Sequence, residues 1–470
     1  MVQSEVDTIV ACATPRGRGG IGVVRISGPR VQKIAKQVLG KVPKIRQGEY
    51  LSFLDKQGDC LDQGIALYFK APFSFTGEDV LELQGHGGPV IIDSLIQEVV
   101  NAGARLAEPG EFSLRAFLNN KIDLIQAEAI SDLINASSYD AARSAARSLQ
   151  GDFSNAIEVI VQSLIELRMY VEAAIDFPEE ELDLLNEGKI SLSLKQIADK
   201  LESLLAKARF GALLSEGIKV VIMGRPNAGK STLLNALSGF DAAIVTDIPG
   251  TTRDVLKTEI SMDGLLVQLI DTAGLRLNAD LIEQEGIRRA LKEISLADHV
   301  IMVIDATENA LEDSEDDRHA STPQQLFAEW IDKFPEGVGI TILKNKIDLL
   351  KSQEKLNGQE STFPFASASI INVSAKTGEG LETFKTHLKN AVGFSKTSEG
   401  DFFARRRHVE ALMEARQTLK EASIQLETYG ALELVAEELR QTQKSLDLIT
   451  GKFTSDDLLG KIFSEFCIGK

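Results

Sequence analysis

The densest chemistry in this chain lies in eight residues, Gly224-Arg-Pro-Asn-Ala-Gly-Lys-Ser231. The spacing G-x-x-x-x-G-K-S lets a glycine-bent backbone turn its N–H groups onto a phosphate chain. An apolar β-prone run, Ile218 to Met223, precedes the loop, and a helix-prone run, Ser231 to Leu237, follows it. The helix N-terminus adds partial positive charge. Lys230 is expected on the β- and γ-phosphates and the Ser231 hydroxyl on magnesium. Asn227, Ala228, Gly229, Lys230, Ser231 and Thr232 are the contacts expected from this loop.

Three further motifs follow in order. Asp271-Thr272-Ala273-Gly274 comes after the apolar run Leu265 to Ile270. A carboxylate there can hold the magnesium shell, and the Gly274 N–H can meet the γ-phosphate. Asn345-Lys346-Ile-Asp348 comes after Gly339 to Leu343. Asp348 can accept from both the ring N–H and the exocyclic amine of guanine, a pair that adenine lacks. Ser374-Ala375-Lys376, after Ile370 to Val373, backs the base from a loop. Between the first two motifs lies Thr246-Asp247-Ile248-Pro249-Gly250-Thr251-Thr252-Arg-Asp254, a switch loop by its Gly, Pro and Thr content. Thr252, just before the strand Val255 to Ile260, is expected on magnesium. Motifs of this kind at strand ends predict a guanine nucleotide-binding domain with ligands outside the carboxyl edge of an open α/β sheet.

The position after Asp271–Gly274 is Leu275, where Ras-like GTPases carry a water-orienting glutamine. Leucine neither donates nor accepts, so the water needs another holder. Arg276, Asp280, Glu283 and Glu285 are the polar candidates. Asn227 reads in two ways, as a ligand for a monovalent cation or as a brace within the loop.

This set resembles the tRNA-modification GTPases called MnmE or TrmE, of the TrmE-Era-EngA type. The residues that carry the resemblance are Gly224–Ser231, Thr246–Asp254, Asp271–Gly274 and the C-terminal Phe466-Cys-Ile-Gly-Lys470. The N-terminal runs Pro15–Gly20, Ser74–Glu78, Gln84–Gly88 and Pro109–Phe112 also look like that family, so the likeness covers nearly the full chain. It implies a potassium-dependent GTPase in which Asn227, Thr246, Ile248 and Thr251 surround the ion and Glu283 orients the water. It implies a tetrahydrofolate derivative, 5-formyl or methylene, contacted by Arg25, Glu82, Lys121 and Lys470. It also implies wobble-uridine C5 modification of tRNA, a homodimer through the N-terminal domains, and a flavin-bearing partner protein of the MnmG or GidA type. FAD would sit on that partner, since nothing in this chain resembles a flavin site. Read without the resemblance, Arg25 is an ordinary strand surface charge, Glu82 the polar position of an alternating strand, and Lys121 a surface residue at a helix start. The Gly250–Asp254 loop also fits a regulatory GTPase of ribosome assembly without one-carbon chemistry.

Composition bounds the rest. The 470 residues with 43% hydrophobic content suit several soluble domains. No apolar run reaches the roughly 18–20 residues needed to cross a bilayer. The opening MVQSEVDTIV has no basic-then-apolar signal pattern, and Cys12, Cys60 and Cys467 are too sparse for a disulfide framework. A reducing cytoplasm is expected. Cys467 reads as a small buried hydrophobe or, beside Lys470, as a reactive thiol. The net charge of −18 argues against broad, non-specific binding to nucleic acid. The one clear cationic cluster, Arg405-Arg-Arg-His408, reads as the solvated first turns of a helix.

Texture along the chain predicts an α+β N-terminal domain (1–118) that binds folate and dimerises, with strands at Gly20 to Ile26 and Gly64 to Phe69. An all-α domain follows in two halves, 119–215 and 394–470, flanking an inserted Ras-like GTPase domain with a mostly parallel sheet (216–393). Helical runs are expected over Ile122 to Phe177, Ile190 to Ala212 and Phe403 to Ile449. Thr450-Gly451 stops the last of these, and Thr454 or Ser455 caps a restart. The stretches Glu308 to Asp317 and Ser352 to Thr362 read as surface loops.

Overall fold

Period-2 alternation of apolar residues builds the first sheet from β1 (Ile9–Cys12), β2 (Gly19–Ser27), β3 (Glu49–Leu54), β4 (Cys60–Phe69), β5 (Val80–Gly87) and β6 (Arg105–Leu106). The computed structural model describes residues 7–15, 17–136, 139–176, 187–225, 227–240, 257–262, 265–271, 297–307, 338–350, 369–394, 402–452, 456–464, 466 and 469. The strand order is β3-β4-β5-β2-β1-β6, with every neighbour antiparallel except β1 and β6. Helices α1 (Val31–Leu39) and α2 (Pro89–Asn101) cover one face, burying Val24, Ile26, Leu81 and Leu83 with Ile34 and Leu95. Arg25 and Glu82, of opposite parity, therefore point to the other face. There α3 (Glu111–Leu118) packs Phe112 against Ile9 and Ala11.

The expected helical run over Ile122 to Phe177 is three helices: α4 (Leu124–Asn135), α5 (Tyr139–Gln150) and α6 (Asp152–Asp176). Asp123 caps α4 in a capping box with Gln126, and Gly151, at φ +95°, separates α5 from α6. Helix α7 (Glu187–Glu216) follows.

The second sheet contains β7 (Ile218–Met223), β8 (Lys257–Met262), β9 (Leu265–Asp271), β10 (His299–Asp305), β11 (Gly339–Asn345) and β12 (Ser369–Asn372). Its order is β12-β11-β10-β7-β9-β8, parallel throughout except for the antiparallel edge strand β8. This is the mostly parallel sheet of a nucleotide-binding α/β domain. Helices α8 (Lys230–Phe240) and α9 (Leu381–Ala391) follow β7 and β12. Val221, Ile270, Val300, Met302 and Ile342 form its core. The central strand β10 has no counterpart in the motif reading.

The remaining helices are α10 (Arg406–Ile424), α11 (Leu432–Thr450) and α12 (Asp456–Ser464). The expected continuous run to Ile449 is interrupted by a π-turn, Gln425–Tyr429, and by left-handed Gly430. The stop after Thr450 is as expected, with Gly451 at φ +87°. The proposed caps Thr454 and Ser455 lie outside the described residues.

The chain forms two compact units, one of residues 1–137, 142–205 and 407–470, the other of 138–141 and 206–406. Within the second unit the two ends of the long segment meet. Phe210 stacks on Phe394 with centroids 5.3 Å apart, and the Arg406 N–H donates to Glu216 at 3.0 Å. Within the first unit, one expectation is corrected. Arg407 and His408 turn inward rather than standing in solvent, Arg407 with 23% of its side chain exposed. His408 is buried, and both residues pair with the buried Glu128 of α4, at 2.8 and 3.0 Å. Burial alone would raise the Glu128 pKa, but the two cations outweigh it and hold the carboxyl well below its usual range. No helix among the described residues is long and apolar enough to cross a membrane.

Candidate functional site

The phosphate loop is set by glycine at its start and end. At Gly224 (φ +152°) a Cβ would stand 2.3 Å from the Val303 carbonyl of β10, so only glycine lets the chain leave β7 there. At Gly229 (φ +95°) a Cβ would stand 2.2 Å from Asn345 Nδ2. Asn227, between them, is itself left-handed at φ +65°. Lys230 opens α8, is buried, and donates from Nζ to the Gly224 and Arg225 carbonyls, each at 2.8 Å. Ser231 and Thr232 are exposed on the first turn.

Asn345 ties three loops together. Its Nδ2 donates to Ala228 O, and its Oδ1 accepts from Ala375 N–H, both at 2.9 Å. Ser374 Oγ donates to Asp348 Oδ1 at 2.6 Å and accepts from Thr377 N–H at 3.2 Å, fixing one edge of the Asp348 carboxylate. Lys346 is left-handed at φ +67°, and its Nζ lies 2.6 Å from Asp305 Oδ2 at the end of β10. Lys376 is exposed. The phosphate loop, Asp305, Asn345 and Ser374 all follow the carboxyl ends of neighbouring parallel strands, where open α/β sheets bind ligands. Ser231 lies on the first turn of α8 and Asp271 closes β9, paired in register with Ile222 of β7; a hydroxyl and a carboxylate are the oxygen donor types that magnesium takes. The Asp271 side chain, Thr246 to Thr252, Thr272 to Gly274, Leu275, Arg276, Asp280, Glu283 and Glu285 lie outside what is described. Of the proposed potassium ligands only Asn227 is described.

The N-terminal sheet holds a second polar site. Arg25 and Glu82 are direct register partners on β2 and β5, and their side chains pair at 2.9 Å, partly buried. The guanidinium lies about 6 Å from the ring centres of Phe75 and Phe112. Its Nη1 also donates to Gly469 O at 3.5 Å. Gly469 is buried at φ +95°, where a Cβ would stand 2.3 Å from Cys12 O. The tail is thus seated by a residue that has to be glycine, next to Phe466, which packs with Phe463 and Leu124. Lys121 is exposed beside Gly77, on the loop that also carries Phe75. It lines a cavity of about 640 Å³ with Phe117, Asp123, Asn155, Glu158 and Lys452, which neither Arg25 nor Glu82 reaches. Cys467 and Lys470 lie outside the described residues. A carboxylate braced by a guanidinium beside aromatic rings fits the N–H donor edge of a pterin ring.

Two of the N-terminal runs singled out in the sequence, Ser74–Glu78 and Pro109–Phe112, have structural work. Glu78 accepts from Ser27 Oγ at 2.7 Å and from Arg115 at 3.1 Å, while Glu111 pairs with Arg105 and Arg115. Sequence reasoning did not find this network; only its Glu111–Arg115 pair, four residues apart on α3, is a local pattern.

Residues 8–121 match the family model of the GTP-binding protein TrmE N-terminus, and residues 124–467 match that of the MnmE helical domain. The tRNA modification GTPase MnmE of Psychromonas ingrahamii is 56% identical over 466 residues, 99% of each chain. The protein of the same name from Aeromonas salmonicida is 55% identical over 465 residues, again 99% of each. The chain belongs to the MnmE family. Solved structures show weaker likeness. The G domain of the T. maritima FeoB iron transporter is 25% identical, spanning 37% of this chain and 98% of its own, with a TM-score of 0.28. A GDP-bound GTP-binding protein from Sulfolobus solfataricus is 16% identical over 64% of this chain and 76% of its own, with the same TM-score of 0.28. Membership rests on the sequence relatives and the matched models. As an MnmE-family member the chain is a GTPase.

Proposed function

We propose that this GTPase works in the C5 modification of tRNA wobble uridine, in the cytoplasm, with a tetrahydrofolate-derived one-carbon unit. The observation that carries the reading beyond GTP hydrolysis is the Arg25–Glu82 pair between Phe75 and Phe112, with the glycine-seated tail against it. Glu82 can accept from a pterin ring N–H and amine, with Arg25 bracing its carboxylate, while the anionic glutamyl tail at the far end of the molecule needs another cation. Lys121 and Lys470 complete the proposed contacts. When bound, a 5-formyl- or methylene-tetrahydrofolate supplies the one-carbon unit. A flavin-bearing partner of the MnmG type and a homodimer complete the assembly we propose, and the names of the relatives support the tRNA substrate.

In the GTPase unit, the phosphate-loop N–H groups and Lys230 stabilise charge that builds on the phosphates. Ser231 and Thr252 would hold magnesium, which shields phosphate charge. Asn227, Thr246, Ile248 and Thr251 would hold potassium, which supplies positive charge where other GTPases use an arginine finger. Glu283 orients the water that attacks the γ-phosphate, a task that Leu275 cannot perform.

Calorimetric titration with 5-formyltetrahydrofolate tests the reading. Saturable binding to the wild type, lost in Arg25→Ala and in Glu82→Ala, is expected. No binding to the folded wild type would leave a GTPase without one-carbon chemistry.

A further inference from the structure

We propose that Asp305 is a positioning residue for guanine recognition, acting through Lys346. The base loop bends at Lys346 with φ +67°. A non-glycine residue in that conformation is strained and persists only where its surroundings impose it. The loop must nevertheless keep this bend, because Asn345 and Asp348 lie on either side of it. Asn345 holds Ala228 and Ala375, while Asp348 is held by Ser374.

Asp305 supplies the restraint. It ends β10 directly opposite Asn345 in the parallel register, and the Ala306 N–H donates to Asn345 O at 2.8 Å. Its Oδ2 takes Lys346 Nζ at 2.6 Å. Its Oδ1 accepts from the Thr307 N–H at 3.0 Å and the Thr307 hydroxyl at 2.7 Å. The carboxylate is thus anchored from its own strand and is only 9% exposed, so its pull on Lys346 is poorly screened. Burial raises its pKa, but Lys346 and the two Thr307 donors outweigh burial and keep it ionised. Lys346 is pinned at its side-chain tip as well as through its backbone, and Asp348 is held in register with the phosphate loop.

The test is a double-mutant cycle on the full chain with Asp305→Asn, Lys346→Gln and the pair. Asp305→Asn keeps shape and the Thr307 contacts but removes the charge. It should speed GDP release and raise the KM for GTP by about tenfold each, with a kcat change below about twofold; tenfold corresponds to about 1.4 kcal/mol. Preference for GDP over IDP, which lacks the exocyclic amine read by Asp348, should fall in parallel. The double variant should be no worse than Lys346→Gln alone, because coupled residues are not additive. Unchanged release and KM in Asp305→Asn, or losses that multiply in the double variant, overturn the proposal. If Asp305→Asn fails to fold, Thr307→Val carries the test: release faster by about two- to threefold supports the proposal, and an unchanged rate refutes it.

Discussion

Asn345 is the side chain whose loss the nucleotide site should feel most. It is 2% exposed and makes two bonds of 2.9 Å, one to the phosphate loop and one to the Ser374–Lys376 loop. Asn345→Ala deletes both. It leaves the Ala228 carbonyl and the Ala375 N–H buried without these partners, at roughly 1–3 kcal/mol each. Water reaching the loosened loops recovers part of that, so about 3 kcal/mol is the expected net loss, or about 150-fold in an equilibrium constant. If the loops drift apart in the free protein, the loss is read as nucleotide affinity. If the sheet edge unravels, it is read as stability. Titration of a fluorescent GDP and urea unfolding, run on the same preparation, divide the two. Asn345→Asp sharpens the test, since it keeps the acceptor for Ala375 but sets an oxygen against the Ala228 carbonyl. Affinity within threefold of wild type, with an unfolding free energy within about 0.5 kcal/mol, would refute the idea that this side chain holds the loops together.

Two further outcomes are expected. His299, buried at the start of β10, hydrogen-bonds Thr341 Oγ1 at 2.8 Å, and burial together with the neighbouring His387 pushes its pKa down to about 4 from 6.5. Because the folded value is depressed, its stabilisation is complete above about pH 6.5 and is lost as pH falls toward 4, roughly 3 kcal/mol in all. Urea unfolding across that window should show a slope that flattens in His299→Gln; an unaltered slope would count against the assignment. Glu128→Gln, which removes the buried counter-charge of Arg407 and His408, should cost about 3–5 kcal/mol. An unchanged thermal midpoint would show that the cluster contributes nothing net.

The nucleotide site was legible because its chemistry is contiguous. The 224–231 loop and the 345–348 and 374–376 runs each carry glycine, lysine or aspartate at fixed local spacing, and the fold places them at adjacent strand ends. Asp305 was not legible. His299–Asp305 is a short apolar run that periodicity cannot separate from buried helix, and its pairing with Lys346 spans 41 positions. Arg25 and Glu82 were found through family likeness, yet their direct contact follows from a strand register that no single segment encodes. The inward turn of Arg407 and His408 was misread for a related reason. Charge density suggests solvent, and the partner that reverses the inference lies 279 positions away.

The seat of Gly469 and Phe466 has a bearing on how the chain is born. One unit draws on residues 1–137 and 142–205 and also on 407–470, with about 200 residues between them. At cellular rates of about 5–20 residues per second, that interval lasts roughly 10–40 s. Throughout it, the surface around Phe117 and Leu124 that will receive Phe463 and Phe466 is bare. The middle unit can fold in that time, so synthesis order makes the flanking unit a late assembly and its uncovered apolar seat a natural client for chaperones.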